Sequence, residues 1–150
     1  MRKLLLLMSL VLAFAVASAQ KTEKVSWTYT YNTLDNGNVE LFFNANIADG
    51  YHLYSPYNPA GGAQPLKIEL TESSDYSRVS RIVEVIKPTE HYSKVFNKNE
   101  KFFAKKAQFK MIVKPTDGTP FTVTGSIKGQ ACDDCGTCIM VRKSFTINVK

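Results

Sequence analysis

The sequence predicts an all-β protein with an immunoglobulin-like antiparallel β-sandwich. Short segments alternate apolar and polar residues with a period of two, as half-buried strands do. Turn-forming Asp, Asn, Gly and Pro residues separate these segments at short intervals. No window of ten or more residues shows a helical period. Seven or eight short strands of this kind are typical of a sandwich.

The first hairpin is the clearest element. Residues 25–32 alternate, and residues 39–47 alternate again after the turn 35–38. That turn contains Asn36-Gly37, a pair that favours the tight turn of a two-strand hairpin. The sequence therefore predicts that the two segments pair with each other.

The remaining segments are less regular. Further strands are predicted at 51–54, 66–70, 78–86, 109–113, 121–131 and 139–149. Residues 55–65 are rich in Pro and Gly and predict a loop. Residues 88–104 do not read as a strand and predict a long loop, of the kind that often covers a functional site. Its aromatic residues argue against disorder.

The N-terminus has the three parts of a secretory signal peptide. Arg2 and Lys3 precede an apolar run over 4–16, and the small residues 17–19 follow it. The run is short for a membrane span. We expect residues 1–19 to be cleaved and residues 20–150 to form one domain, periplasmic or secreted and not inserted in the membrane.

The charge of the chain does not indicate a nucleic-acid partner. The full sequence carries a net charge of +6, and loss of Arg2 and Lys3 lowers it to about +4. The lysines are scattered rather than gathered in a basic arm. We interpret the positive charge as a basic surface exposed to solvent.

All three cysteines, Cys132, Cys135 and Cys138, lie within seven residues. If segments 121–131 and 139–149 pair, Cys132 and Cys138 are opposite each other. Opposed Cα atoms in antiparallel strands are about 4.5–5.5 Å apart, and disulfides need about 4.4–6.8 Å. The spacing therefore permits a Cys132–Cys138 disulfide in an oxidising compartment.

Loop length favours a redox role for such a disulfide over a structural one. A closed loop of about seven residues stabilises the fold by only about 2–2.5 kcal/mol, against about 4.7 kcal/mol for 100 residues. A disulfide at an exposed turn is also open to attack by a partner thiolate. Asp133 and Asp134 oppose thiolate formation beside them, and Lys128, Arg142 and Lys143 could offset their charge.

Two other functions remain open. The domain could be a non-catalytic module that binds a partner and keeps a structural disulfide. The three cysteines could instead bind a metal with His52 or His91, although structural zinc sites normally pair two separated ligand clusters. We expect neither a metal nor another cofactor. Cys135 is a resolving thiol, an intermolecular linker or a spare.

Three motifs resemble the N-terminal periplasmic domain of the thiol:disulfide interchange protein DsbD. They are the stretch from Asp49 to Tyr54, the aromatic segment from Glu90 to Phe103, and the segment from Gly129 to Cys138. The last is the specific one, because its two outer cysteines have the five-residue gap of the family's redox pair. Cys135 is an addition, and Ile139-Met140-Val141 stands where the family often has prolines.

The resemblance implies an immunoglobulin-like fold and a redox pair formed by Cys132 and Cys138. The pair would accept electrons from a membrane-embedded donor, here expected to be encoded separately, and pass them to periplasmic thioredoxin-like proteins of cytochrome c biogenesis or to disulfide isomerases. Tyr92 or Phe96, with His91, would form a cap over the pair. Tyr51 and Tyr54 would line the site.

Overall fold

The computed structural model describes residues 23–150, so the predicted signal peptide lies outside the described residues. The described part contains no helix and therefore none that could cross a membrane. Its eleven strands are β1 (Val25–Thr33), β2 (Val39–Ile47), β3 (Tyr51–Tyr54), β4 (Lys67–Leu70), β5 (Tyr76–Arg78), β6 (Val83–Glu84), β7 (Thr89–Ser93), β8 (Lys98–Ala104), β9 (Lys106–Pro115), β10 (Phe121–Asp133) and β11 (Cys138–Val149).

The strands form two antiparallel sheets, which confirms the predicted fold class. The first sheet has the order β1-β2-β9-β5, with β6 also paired to β9. The second sheet has the order β11-β10-β3-β8-β7, with β4 also paired to β10. β10 thus pairs with three other strands, β11, β3 and β4.

The β1–β2 hairpin has the predicted turn. Gly37 adopts a φ of 80°, which costs little in a residue without a Cβ. The Asn36 side chain accepts a hydrogen bond from the Asn38 backbone N–H at 3.1 Å. The register runs from Thr33 opposite Val39 to Val25 opposite Ile47.

The core lies between the inner faces of the two sheets. Alternate residues of β2 and β9 are buried on one side, and alternate residues of β10 and β11 on the other. Aromatic contacts join the sheets: the Phe43 and Phe145 rings are 5.1 Å apart, and the Phe103 and Phe109 rings are 5.3 Å apart. Because these side chains fill the inner faces, the outer face of the second sheet is free to carry a site.

The predicted strand at 78–86 is wrong over most of its length. β5 and β6 flank a gap at residues 79–82, where the backbone leaves the ladder. There the Ile112 N–H donates to the Ser80 Oγ at 2.7 Å, so a side chain replaces a strand carbonyl. Val83 and Val85 are exposed at this edge of the first sheet, and their alternation therefore does not report burial.

The predicted loop at 88–104 is also wrong, because β7 and β8 pair as a hairpin. The register runs from Thr89 opposite Phe102 to Ser93 opposite Lys98, around a turn at 94–97. β7 is an edge strand exposed along nearly its whole length, so it has no apolar face to mark it in the sequence. Only the hairpin's turn remains a loop.

Gly125 lies where β4, β10 and β11 pack closely together. A Cβ at this position would lie 2.2 Å from the Glu69 backbone oxygen and 2.5 Å from the Phe145 ring. We expect Gly125→Ala to lower the free energy of unfolding by about 1–3 kcal/mol, because the backbone of β4 must shift. Urea denaturation measures the loss. Ser126→Ala, one residue along the strand, is the control, and an equal loss in both variants would contradict the proposed clash.

Candidate functional site

The disulfide lies on the outer face of the second sheet. Ala131 of β10 is fully buried in the core, and the next side chain, Cys132, points to the opposite face because side chains alternate along a strand. Cys132 pairs directly with Cys138 of β11, and their Cα atoms are 4.0 Å apart. The two sulfur atoms form a disulfide, and Cys135 is a free, exposed cysteine.

The turn between the two cysteines is organised by Asp133. Its Oδ1 accepts hydrogen bonds from the backbone N–H groups of Cys135, at 3.0 Å, and Thr137, at 2.7 Å. Its own backbone N–H donates to the Thr137 carbonyl at 2.9 Å. Gly136 completes the turn with a φ of 88°. The carboxylate of Asp133, which is next to Cys132 in the sequence, therefore accepts hydrogen bonds from backbone donors.

The second acid of the turn contacts β3. The Asp134 Oδ1 lies 3.5 Å from the His52 Nε2, and His52 is directly opposite Cys132 across the β3–β10 ladder. The His52 ring also contacts the Phe102 ring, with 4.4 Å between ring centres. Among residues 23–150, no group of three His, Cys, Asp or Glu side chains is arranged to hold a metal ion.

The two sulfur-bearing residues differ sharply in exposure. Cys132 is 4% exposed and packs in a small apolar cluster with Tyr54 and Ala63, against which Phe96 and Phe102 also pack. Cys138 is exposed. A thiolate arriving from solvent therefore meets Cys138 first.

A buried carboxylate holds the cover over Cys132. Glu100 of β8 is 3% exposed, and its Oε1 accepts hydrogen bonds from the Ala63 N–H at 2.7 Å and from the Asn58 Nδ2 at 3.4 Å. Asn58 also donates to the Ala63 carbonyl and accepts from the Lys101 N–H, each at 2.8 Å. Loop 55–65 is thereby tied to β8 and lies on Cys132.

Burial favours the neutral form of the nearby phenol. It raises the pKa of Tyr54 above the ordinary value of 10.0, and the negative charge of Glu100 raises that pKa further. A phenol is already protonated at neutral pH, and the raised pKa of Tyr54 extends its neutral form to more alkaline pH.

These side chains enclose an open cleft of about 460 Å³ at the disulfide. The family model described as "Thiol:disulfide interchange protein DsbD, N-terminal" matches residues 17–150 of this sequence. The chain belongs to the DsbD N-terminal family. A comparison with curated protein sequences found no match.

Three solved structures share the fold. The N-terminal periplasmic domain of ScsB from Proteus mirabilis has a TM-score of 0.63 at 18% identity, over 87% of this chain and 48% of that chain. The reduced DsbD N-terminal domain from Neisseria meningitidis has a TM-score of 0.52 at 16% identity, over 83% of this chain and 90% of that chain. A structure of the complex between the DsbD and PilB N-terminal domains from Neisseria meningitidis gives 0.51 at 16% identity, over 81% of each chain. This chain thus spans about half of the ScsB chain.

The cleft brings together most of the residues that the resemblance to the DsbD family implied. Its lining includes Cys132, Cys138, Tyr54, His91 and Phe96, together with Cys135, which the family pattern lacks. Tyr51 does not line it: this side chain lies on the inner face of β3 against the core, with the Lys24 Nζ 5.2 Å from its ring centre. Tyr92 does not line it either, because it lies on the opposite face of β7 from His91 and Ser93. Its hydroxyl hydrogen-bonds to Asn97 in the hairpin turn.

Sequence reasoning missed Glu100, Asn58 and Phe102. Glu100 and Phe102 fall in the predicted polar loop 88–104, and Asn58 falls in the predicted Pro- and Gly-rich loop 55–65. Had residues 98–104 been predicted as a strand, Glu100 and Phe102 would have been placed on the same face, because they are two residues apart.

Glu100 should hold the cover through its oxygen acceptor rather than its charge. We expect Glu100→Ala to lower the free energy of unfolding by about 1–3 kcal/mol, because the buried Ala63 N–H loses its partner. Reduction of the disulfide by dithiothreitol should also become faster. Glu100→Gln keeps an oxygen acceptor and is the matched control. Equal losses in both variants, measured by urea denaturation, would show that the charge matters instead.

Proposed function

We propose that this chain is an exported thiol:disulfide exchange domain that relays reducing equivalents through Cys132 and Cys138 to periplasmic proteins. The observation that carries the proposal is the pairing of one exposed and one buried cysteine in a disulfide at an open cleft. Membership of the DsbD N-terminal family supports the reaction type. The periplasmic location is supported by the N-terminal signal pattern and by the description of the ScsB relative as a periplasmic domain.

The unequal exposure supports an order for the two thiols. In the reduced domain, the Cys138 thiolate attacks a sulfur of the partner's disulfide and releases one partner thiolate. The Cys132 thiolate then attacks the Cys138 sulfur of the mixed disulfide. The Cys132–Cys138 disulfide forms, and the second partner thiolate leaves. Two electrons pass to the partner, and solvent protons neutralise its thiolates.

Reduction of the domain runs the same steps in reverse. A donor thiolate attacks the Cys138 sulfur and releases the Cys132 thiolate. A second donor thiol then resolves the mixed disulfide, so that the donor is oxidised. We propose a membrane-embedded donor and thioredoxin-like or disulfide isomerase acceptors. The DsbD–PilB complex from Neisseria meningitidis supports domain-to-domain exchange in this family.

The disulfide contributes little to the fold that the strands do not already provide. Twelve residue pairs align β10 with β11, and Cys132–Cys138 is the last of them. The bond closes a short loop between strands that are already held together. It can therefore open and close while the ladder stays paired.

The β7–β8 turn acts as a cap in this proposal. Phe96 packs against the cluster around Cys132, while its neighbour Val95 is 82% exposed. His91 lines the cleft from β7, and Tyr92 supports the turn through Asn97. Cys135, in the same cleft, is a second candidate for resolving a mixed disulfide at Cys138.

The order of the two thiols can be tested with single-cysteine variants. In a Cys135→Ser background, we expect Cys132→Ser to form a mixed disulfide with glutathione disulfide at least about tenfold faster than Cys138→Ser, because only Cys138 is exposed. Mass spectrometry follows the adduct, and circular dichroism checks the fold. Equal rates would contradict the order. If neither variant reacted while both stayed folded, the disulfide would be structural and the domain a binding module.

The cap can be tested on the oxidised protein. We expect Phe96→Ala to speed reduction of Cys132–Cys138 by dithiothreitol severalfold, because the apolar cover over Cys132 opens more often. Val95→Ala is the matched control, since it changes the same turn at an exposed side chain. Free-thiol titration over time gives the rates. An unchanged rate in Phe96→Ala would assign the cover to loop 55–65 instead.

A further inference from the structure

A row of three cations crosses the outer face of the second sheet. Lys128 of β10 is directly opposite Arg142 of β11 on one side and Lys67 of β4 on the other. All three side chains are exposed. Neighbouring strands are about 4.8 Å apart, so the row is about 10 Å long.

The fold gains nothing from this arrangement. Like charges directly opposite each other on paired strands are destabilising. Of these three cations, only Lys128 has a carboxylate within salt-bridge distance among residues 23–150, that of Glu69 at 3.4 Å. Lys67 and Arg142 have none there, and the row keeps about two uncompensated positive charges at neutral pH.

The row shares its face with the disulfide. Cys132 lies four residues beyond Lys128 on β10, and Cys138 lies four residues before Arg142 on β11. Because both separations are even, the side chains point the same way, and 3.4 Å per residue places the row about 14 Å from the disulfide.

An apolar side chain stands between the two. Met140 and Gln130 are opposite each other midway, and Met140 is 47% exposed. Gln130 is engaged by loop 55–65, because its Oε1 accepts the Gln64 N–H at 2.8 Å. Lys67, Lys128, Arg142 and Met140 line one open cavity of about 620 Å³.

We propose that Lys67, Lys128 and Arg142 bind an acidic strip on the redox partner, with Met140 as the apolar contact between that strip and the exchanging sulfurs. This inference rests on the proposed function, since the occupant is the protein that exchanges thiols at Cys138. Its acidic residues lie about 14 Å from its reactive cysteine, which is four residues along an extended segment.

The charges on the other side of the disulfide fix the orientation of that partner. Asp133, the last residue of β10, and Asp134, in the turn that follows it, lie on the opposite side of the disulfide from the cation row. An acidic strip placed over the turn would be repelled, and one placed over the row is attracted. Complementarity of this kind acts mainly on the rate of encounter and on the choice of partner.

Three synthetic peptides test the proposal on a protein of residues 20–150 with Cys135→Ser. Each contains one cysteine, followed after a three-residue neutral spacer by three glutamates, three glutamines or three lysines. The measured quantity is the rate at which each peptide thiol attacks the Cys132–Cys138 disulfide, at about 10 mM and about 500 mM salt. Dividing the acidic rate by the glutamine rate within one protein variant, and comparing variants, removes differences between the peptide thiols themselves.

We expect the acidic peptide to react about threefold to tenfold faster than the glutamine peptide at low salt, and the lysine peptide to react more slowly. High salt should remove the differences. Lys67→Gln, Lys128→Gln and Arg142→Gln together should abolish the acidic preference. The matched control removes three cations of the first sheet, Arg78→Gln, Lys106→Gln and Lys114→Gln, and should keep the preference.

Equal rates for the three peptides would overturn the proposal, and so would a preference that survives in the Lys67, Lys128 and Arg142 variant. Loss of the preference in both triple variants would also overturn it, because net charge and not the row would then be responsible. Dithiothreitol separates these outcomes from failure of the proposed function. A disulfide that dithiothreitol reduces but that shows no charge preference keeps the exchange function and removes the cation row from it.

Discussion

The register of β10 against β11 is the constraint on which the site depends. The pairing runs from Phe121 opposite Val149 to Cys132 opposite Cys138. Burial of alternate residues in the core sets this register, because a slip of one residue would send every core side chain of a strand to the surface. The same slip would place the two cysteines on opposite faces. Packing of the core thus fixes the disulfide on the outer face without any contact made by the sulfurs.

β10 also carries the other partners of the site. Its pairing with β3 puts His52 beside Cys132, and its pairing with β4 puts Lys67 beside Lys128. The disulfide and the cation row are therefore two rows of one ladder, four residues apart. Their separation cannot drift while the ladder is intact, so a partner that contacts both meets a rigid surface rather than two independent patches.

The fold class and the disulfide register were predictable because they follow from local patterns. The period of two marked β1, β2, β10 and β11, whose inner faces are buried. The β7–β8 hairpin was missed because its outer strand buries nothing, so no apolar period records it. Glu100 was missed for a related reason: its burial comes from a loop that starts 45 residues earlier, and nothing near Glu100 in the sequence specifies that contact. Tyr51 and Tyr92 were assigned by resemblance alone, and strand parity places both on the faces turned away from the cleft.

The charged residues near the disulfide differ in whether the fold already uses them. Asp133 accepts two backbone hydrogen bonds within its turn, and Asp134 lies against His52. Glu100 accepts a hydrogen bond from the Ala63 N–H of loop 55–65. Each of these acids has a partner inside the domain, so their cost is offset where they stand. Lys67 and Arg142 are different: they extend a like-charge row and have no carboxylate within reach among residues 23–150. Folding does not require this like-charge row, and the acidic partner proposed for this face would offset its unfavourable energy.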